Sequence, residues 1–320
     1  MSQAAPIPFP CQLAHTLTAT TEATRWLIEG LWGFDAVGIL GGEPKCCKSL
    51  CALTIAISVA SGLACLGGLL PRRTGTVLLF AAEDALAIVR ERLEHLARGL
   101  GCALVDLPIQ VITAAALRLD RDEDRLRLEL TIRQHSPVLL ILDPFVRLHR
   151  IDENVAGEVA PLLDHLRRLQ RTHGCAIILV HHARKSAGHL RAGQALRGSS
   201  ELHAWGDSNL FLRRNADQLT LDIEHRAAQA PDPIQLRLSG AGDTLCLEGI
   251  AATSEAEDDH ADDPEQRILE LLVQSDQPLS RRQIQASLRL RTATISTSLD
   301  RLQSQGRVQR NDQGAWQVAA

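Results

Sequence analysis

The chain has 320 residues, which suits one large domain and one small one. Hydrophobic residues make up 45%, so a sizeable core is available, and 34 basic against 38 acidic residues give a net charge of -4. That balance excludes a globally basic nucleic-acid coat, so any DNA contact has to come from a local patch.

Residues 1–20 carry Pro6, Pro8 and Pro10 and read as a flexible N-terminal arm. Residues 21–32 read as a short helix. From there apolar runs alternate with amphipathic ones. Strands are expected at 36–40, 76–80, 109–113, 138–142 and 176–180, and helices at 48–61, 86–100, 122–135 and 156–173. The run at 138–142 is continuously apolar, as in a strand covered on both faces. This alternation implies right-handed βαβ units and an α/β domain over 21–250, with a mainly parallel sheet flanked by helices. Further strands at 209–213, 219–224, 234–238 and 244–247 extend that sheet in antiparallel fashion.

Eight cysteines form no CxxC pair and no zinc-finger spacing, which implies a reducing, cytoplasmic setting. The N-terminus has no signal-peptide pattern. The apolar stretch at 50–70 is broken by Gly, Ser and Thr. It reads as a core helix and a turn, with no membrane partner.

Residues 251–264 form an acidic linker with Glu255, Glu257, Asp258, Asp259, Asp262 and Asp263. A second pattern fills 265–320: helices at 265–274, 281–288 and 292–305, then a hairpin over 307–318. Ser280 is the expected N-cap of the second helix and Gly306 the C-cap of the third. Three helices followed by two strands resemble a winged helix-turn-helix. Its recognition segment would carry Arg291, Thr292 and Thr294, with Arg281, Arg282 and Arg307 nearby for phosphate contact. A module that packs on a protein partner has the same pattern.

The first strand runs into Gly42, Glu43, Pro44, Lys45, Cys46, Cys47, Lys48, Ser49 and Leu50. A phosphate loop needs Gly, four residues, Gly, Lys, then Ser or Thr. Gly42, Lys48 and Ser49 fit, and Cys47 stands where the second glycine is expected. Backbone N–H groups there would curl round a phosphate of ATP at a helix N-terminus. Lys48 would supply a point charge and Ser49 a ligand for Mg2+. A left-handed Cys47 would cost roughly 1–2 kcal/mol, about a tenfold to thirtyfold loss of affinity. Adjacent thiols at a helix N-terminus also fit a redox pair.

The strand at 76–80 leads into Glu83 and the strand at 138–142 into Asp143. A carboxylate after a strand is often only a helix cap. Beside a phosphate loop, Asp143 fits a Walker B ligand for Mg2+, and Glu83 fits the carboxylate that orients or deprotonates water. His181 and His182 follow the next strand, where a polar group is placed to sense the γ-phosphate. The loop at 183–195 carries Arg184, Lys185 and Arg191. It reads either as a solvated surface loop or as a DNA-contacting one.

Residues 141–149, Asp152-Glu153-Asn154, 181–185 and Arg197-Gly198-Ser199-Ser200, with Glu83-Asp84 upstream, resemble the RepA-type hexameric replicative helicases of plasmids over about residues 35–215. The resemblance implies a RecA-like fold, a ring of subunits with the hexamer favoured, ATP between neighbours and single-stranded DNA as track. It further implies Lys48 and Ser49 on phosphate and magnesium, Glu83 as catalytic carboxylate, Asp143 as Walker B and His182 as γ-phosphate sensor. Arg197 would be an arginine finger reaching the adjacent subunit. Cys47 and the C-terminal unit depart from the family pattern. They favour a second reading, an ATP-regulated DNA-binding scaffold or regulator of a mobile element with little unwinding. The aromatic content of 3%, with no Tyr, also leaves base stacking poorly supplied.

Overall fold

The computed structural model describes residues 9–17, 21, 25–182, 200–215, 218–250, 264–275, 277–288, 295, 298, 299, 301–303, 305–311 and 315–318. The chain divides into two compact units, Met1–Ala251 and Ala252–Ala320.

The first unit opens on a small hairpin, β1 (Trp26–Ile28) and β2 (Trp32–Gly33). The helix expected over 21–32 is therefore not formed at these residues. Trp26, Leu27, Ile28, Leu31 and Trp32 are all buried, which is burial on every side rather than on one helical face. Their backbone groups pair across the chain instead. Glu29 N–H donates to the Leu70 carbonyl at 3.0 Å, Arg72 N–H donates to Leu27 at 2.8 Å, and Gly30 turns the chain at φ +66°.

The main sheet is built from β3 (Val37–Gly42), β4 (Val77–Ala81), β5 (Ile109–Val111), β6 (Leu139–Asp143), β7 (Ala176–His182), β8 (Ser208–Asn215), β9 (Gln218–His225), β10 (Ile234–Ala241) and β11 (Thr244–Gly249). Its order is β11-β10-β9-β8-β3-β7-β6-β4-β5. The strands from β8 to β5 in that order are parallel, and β9, β10 and β11 continue as an antiparallel meander. The parallel core and its antiparallel extension follow the alternation in the sequence.

Helices cover both faces. Leu139 and Ile141 point into one core with residues of α1 (Lys48–Ser61) and α2 (Leu86–Gly99). Leu140 and Leu142 point into the other, with α3 (Asp122–His135), α4 (Ala156–His173) and α5 (Ser200–Trp205). Alternate residues of one strand thus serve opposite cores, which is why the strand is apolar throughout. The stretch at 50–70 is core helix and turn, and among the described residues no helix is long and apolar enough to cross a membrane.

The second unit holds α6 (Pro264–Gln274), α7 (Arg281–Leu288), helical residues within 295–303, and the antiparallel pair β12 (Val308–Arg310) and β13 (Trp316–Val318). Ile268, Ile284, Leu299 and Trp316 belong to its core. Ser280 caps α7 in a reciprocal box: Gln283 N–H donates to Ser280 Oγ at 3.4 Å, and Ser280 N–H to Gln283 Oε1 at 2.9 Å. Gly306 takes φ +71° after the third helical segment.

Gly38 tests the central contact of the sheet. A Cβ there would lie 1.7 Å from the Ser208 carbonyl oxygen, whereas one at Gly157 in α4 meets nothing within 4 Å. Gly38→Ala is expected to lose about 3 kcal/mol or more by overpacking against backbone. Gly157→Ala is expected to be neutral or to gain about 0.5 kcal/mol. Urea midpoints of the two variants decide this, and equal midpoints would show that the β3–β8 contact yields.

Candidate functional site

The site lies at the carboxyl ends of the parallel strands, where open α/β sheets place their ligands. Register fixes who meets whom. Gly42 of β3 stands beside His182 of β7, and Ala81 of β4 beside Asp143 of β6. The strands run a residue or two further than the apolar runs suggest, which carries Gly42, Asp143 and His182 into the strand ends themselves.

After Gly42 the chain curls into α1. A side chain at Gly42 would meet the Leu212 carbonyl oxygen at 2.3 Å and Cys46 Sγ at 2.7 Å, so glycine is required. Cys47 is the N-cap of α1 at φ 66°, ψ 24°, the left-handed conformation for which glycine is ordinarily used. Lys45 is also left-handed, at φ 64°. Arg214 of β8 reaches the loop from the side and donates to the Lys45 carbonyl at 3.4 Å.

The Lys48 ammonium is buried and folds back over the loop. It donates to the carbonyl oxygens of Gly42 at 3.0 Å and Glu43 at 2.7 Å, and lies 3.8 Å from Cys46 Sγ. Burial pushes both the Cys46 and the Cys47 thiol up, against the pull of Lys48 and, at Cys47, of Arg214. Both thiols are free and hold their protons, unlike the acidified thiols of a redox pair.

Ser49, in the first turn of α1, is near enough to Asp143 for its hydroxyl to act on that carboxyl. Burial raises Asp143 from 3.8 to about 6, with Asp84 and Glu83 adding to the rise and the Ser49 hydroxyl and Lys48 opposing it. A hydroxyl and a carboxylate brought near each other form an all-oxygen donor set, which fits Mg2+. Glu83 lies just beyond β4, and Arg147 Nε donates to its Oε1 at 2.8 Å. Asp84 pairs instead with Arg92 at 2.5 Å. His182 is held low first by burial and then by Lys48, with Glu83 pulling the other way. Its Nδ1 is buried without a hydrogen-bond partner among the described residues. Behind it, Glu153 stands between His149 at 3.2 Å and His181 at 3.9 Å.

Lys48, Ser49, Glu83, Asp143 and His182 therefore share the carboxyl end of the parallel strands. Arg184, Lys185, Arg191 and Arg197 lie outside the described residues, as do Arg291, Thr292 and Thr294. In the second unit, Arg281 and Arg282 lie on α7 and Arg307 is exposed before β12. Arg281 sits over the Trp316 ring at 5.6 Å and Arg310 at 6.0 Å. Sequence reasoning missed Arg147 and Arg214. Arg147 lies within the run 141–149 and Arg214 beside the strand expected at 209–213, but the groups they meet are 64 and 169 residues away in the chain.

The sequence profile of the AAA domain matches residues 3–188. A solved structure of a DnaB-like replicative helicase, described with its interactions with primase, superposes with a TM-score of 0.52 at 14% identity. The match covers 67% of this chain and 59% of that one, so the chain spans less than two thirds of that helicase. The crystal structure of the RadB recombinase superposes with a TM-score of 0.50 at 16% identity, covering 68% of this chain and 93% of that one. The fold is that of a RecA-like P-loop ATPase.

The raised Asp143 gives a pH signature. Its folded value of about 6 lies above 3.8, so the folded chain holds this proton more tightly than the unfolded one. The stabilisation is complete below 3.8 and is lost as pH rises through about 6. Asp143→Asn, neutral at every pH, is expected to be more stable than wild type near about pH 7.5 and to match it near about pH 4 in magnesium-free buffer. Urea midpoints against pH check this. A difference that does not change with pH would mean that Asp143 is not held protonated.

Proposed function

We propose that this chain, which belongs to the AAA domain family, is an oligomeric ATP-hydrolysing motor acting on DNA, of the RepA-type replicative helicase kind. The observation that carries this is the convergence of Lys48, Ser49, Asp143, Glu83 and His182 at the carboxyl ends of adjacent strands. Five residues from four separate segments meet there, each of the type phosphoryl transfer needs.

The placement supports a role for each residue. The loop from Gly42 to Cys47 would receive the β- and γ-phosphates of ATP through backbone N–H groups. Lys48 would exchange its carbonyl partners for phosphate oxygens. Ser49 and Asp143 would hold Mg2+, which supplies charge neutralisation across the phosphates. Glu83 would orient the attacking water and take its proton. His182, with a buried nitrogen facing no partner among the described residues, would bond the γ-phosphate and report its loss along β7. Arg197 of a neighbouring subunit would complete the site in a ring, with the hexamer favoured. Such fingers are worth roughly 10³–10⁵ in rate in GTPases.

The DNA-facing parts belong to the same reading. Arg184, Lys185 and Arg191 would face single-stranded DNA within the ring. The division runs as arm 1–20, ATPase domain 21–250, acidic linker 251–264 and winged helix 265–320. In the last, Arg281, Arg282, Arg291, Thr292, Thr294 and Arg307 would meet duplex phosphates and base edges. The Ser280–Gln283 box and the β12–β13 pair support that layout.

The left-handed Cys47 favours a second reading, a nucleotide-regulated DNA-binding scaffold with slow turnover. ATP turnover with and without single-stranded DNA separates the two, with Lys48→Ala as control. Turnover that depends on Lys48 and rises with DNA supports the motor. Lys48-dependent binding without turnover leaves the scaffold, and no nucleotide binding sinks both. Cys47→Gly is expected to speed turnover by up to roughly thirtyfold, the scale of one left-handed Cβ penalty. Unchanged or slower turnover would show that the loop has adapted to cysteine.

A further inference from the structure

We propose that Arg147 is a positioning residue that withholds Glu83 until a nucleic-acid phosphate competes for its guanidinium. The inference rests on the ATPase reading above and names how DNA would reach the water-orienting carboxylate.

Arg147 sits on a single helical turn, Phe145–Arg147, that begins two residues after Asp143. Phe145 is fully buried and anchors the turn. Arg118 Nη1 clamps it further, donating to the carbonyls of Arg147 at 2.7 Å and His149 at 3.1 Å. The backbone is thus fixed while the Arg147 side chain remains 60% exposed. Its bond to Glu83 is side-on, through Nε alone, and Glu83 is itself 41% exposed. Among the described residues the Nη groups of Arg147 have no other partner. One part of the guanidinium therefore holds the carboxylate and the rest faces water.

Such a pair is easy to exchange. Exposed ion pairs are weak, and a phosphate oxygen accepts from a guanidinium at least as well as a carboxylate does. An incoming carboxylate from another copy of the chain would gain little over Glu83. A phosphodiester strand would gain more, because neutralising it also releases condensed counterions. Exposed Arg150 lies three residues on and adds charge to the same surface. Glu83 is near enough to Asp143 and His182 to shift both, so a carboxylate freed from Arg147 would stand beside the groups assigned above to the phosphate.

The test is steady-state ATP turnover by the full chain, with and without single-stranded oligothymidine, for wild type, Arg147→Ala and Arg147→Lys. Arg147→Ala is expected to raise the DNA-free rate about fivefold, the scale of one exposed ion pair, and to bring the DNA stimulation ratio to about 1. Arg147→Lys is expected to keep part of the stimulation. The Arg147→Ala gain must vanish in Glu83→Gln/Arg147→Ala. A wild-type stimulation ratio in Arg147→Ala, or a DNA-free rate at or below wild type, overturns the proposal while leaving the ATPase reading in place. So does wild-type turnover that follows protein concentration and ignores DNA, which would point to a neighbouring copy. Wild type that binds no nucleotide removes the ATPase reading and this inference with it.

Discussion

A buried ammonium needs oxygen around it, and Lys48 is 6% exposed. Its partners are the carbonyls of Gly42 and Glu43, which the loop turns inward to meet it. That requirement shapes the rest of the site. The loop has to curl tightly, so Gly42 accepts no side chain and both Lys45 and Cys47 go left-handed. The helix that follows has to begin at Lys48, which places Ser49 against Asp143. β3 lies between β7 and β8, and their ends bring His182 and Arg214 to the loop from opposite sides.

Much of this was open to the sequence because it is local or periodic. Continuous apolar runs mark strands covered on both faces, and Leu139 to Leu142 serve the two cores alternately as such runs require. Lys48, Ser49, Glu83, Asp143 and His182 could be named since each sits within three residues of the end of a recognisable strand or at the start of a helix. The hairpin at Trp26–Ile28 and Trp32–Gly33 was not open in that way. Its backbone partners are Leu70 and Arg72, and a short apolar run does not show by itself whether its bonds close within it or across the chain. Arg147 and Arg214 were hidden for the same reason. Their roles are contacts between segments distant in sequence, fixed only when the strands are laid side by side.

Cys47 shows where letter-matching and geometry part. By its letters the phosphate loop is degenerate. By its backbone it is intact, since the position takes the conformation a glycine would take. The departure costs strain but does not redirect the chain, because β3, α1 and the Lys48 contacts on either side determine the loop. The thiol is also kept protonated by burial, so it adds bulk rather than charge beside the lysine.

The balance of charge explains why the arrangement favours an anion despite that strain. Besides Glu43 within the loop, three carboxylates stand near it, and each of these three has a neighbour of its own: Glu83 has Arg147, Asp84 has Arg92, and Asp143 has the Ser49 hydroxyl. The Lys48 ammonium is different, since its hydrogen bonds go to neutral carbonyls. Two opposite charges about 4 Å apart attract by about 4 kcal/mol at an effective dielectric of about 20. Hydrogen bonds between ionised groups are about twice as strong as neutral ones. Replacing the two carbonyls by phosphate oxygens draws on both effects. Both effects act against the roughly 1–2 kcal/mol of a left-handed side chain. A loop with cysteine in place of glycine therefore keeps its electrostatic reason to close on a polyphosphate.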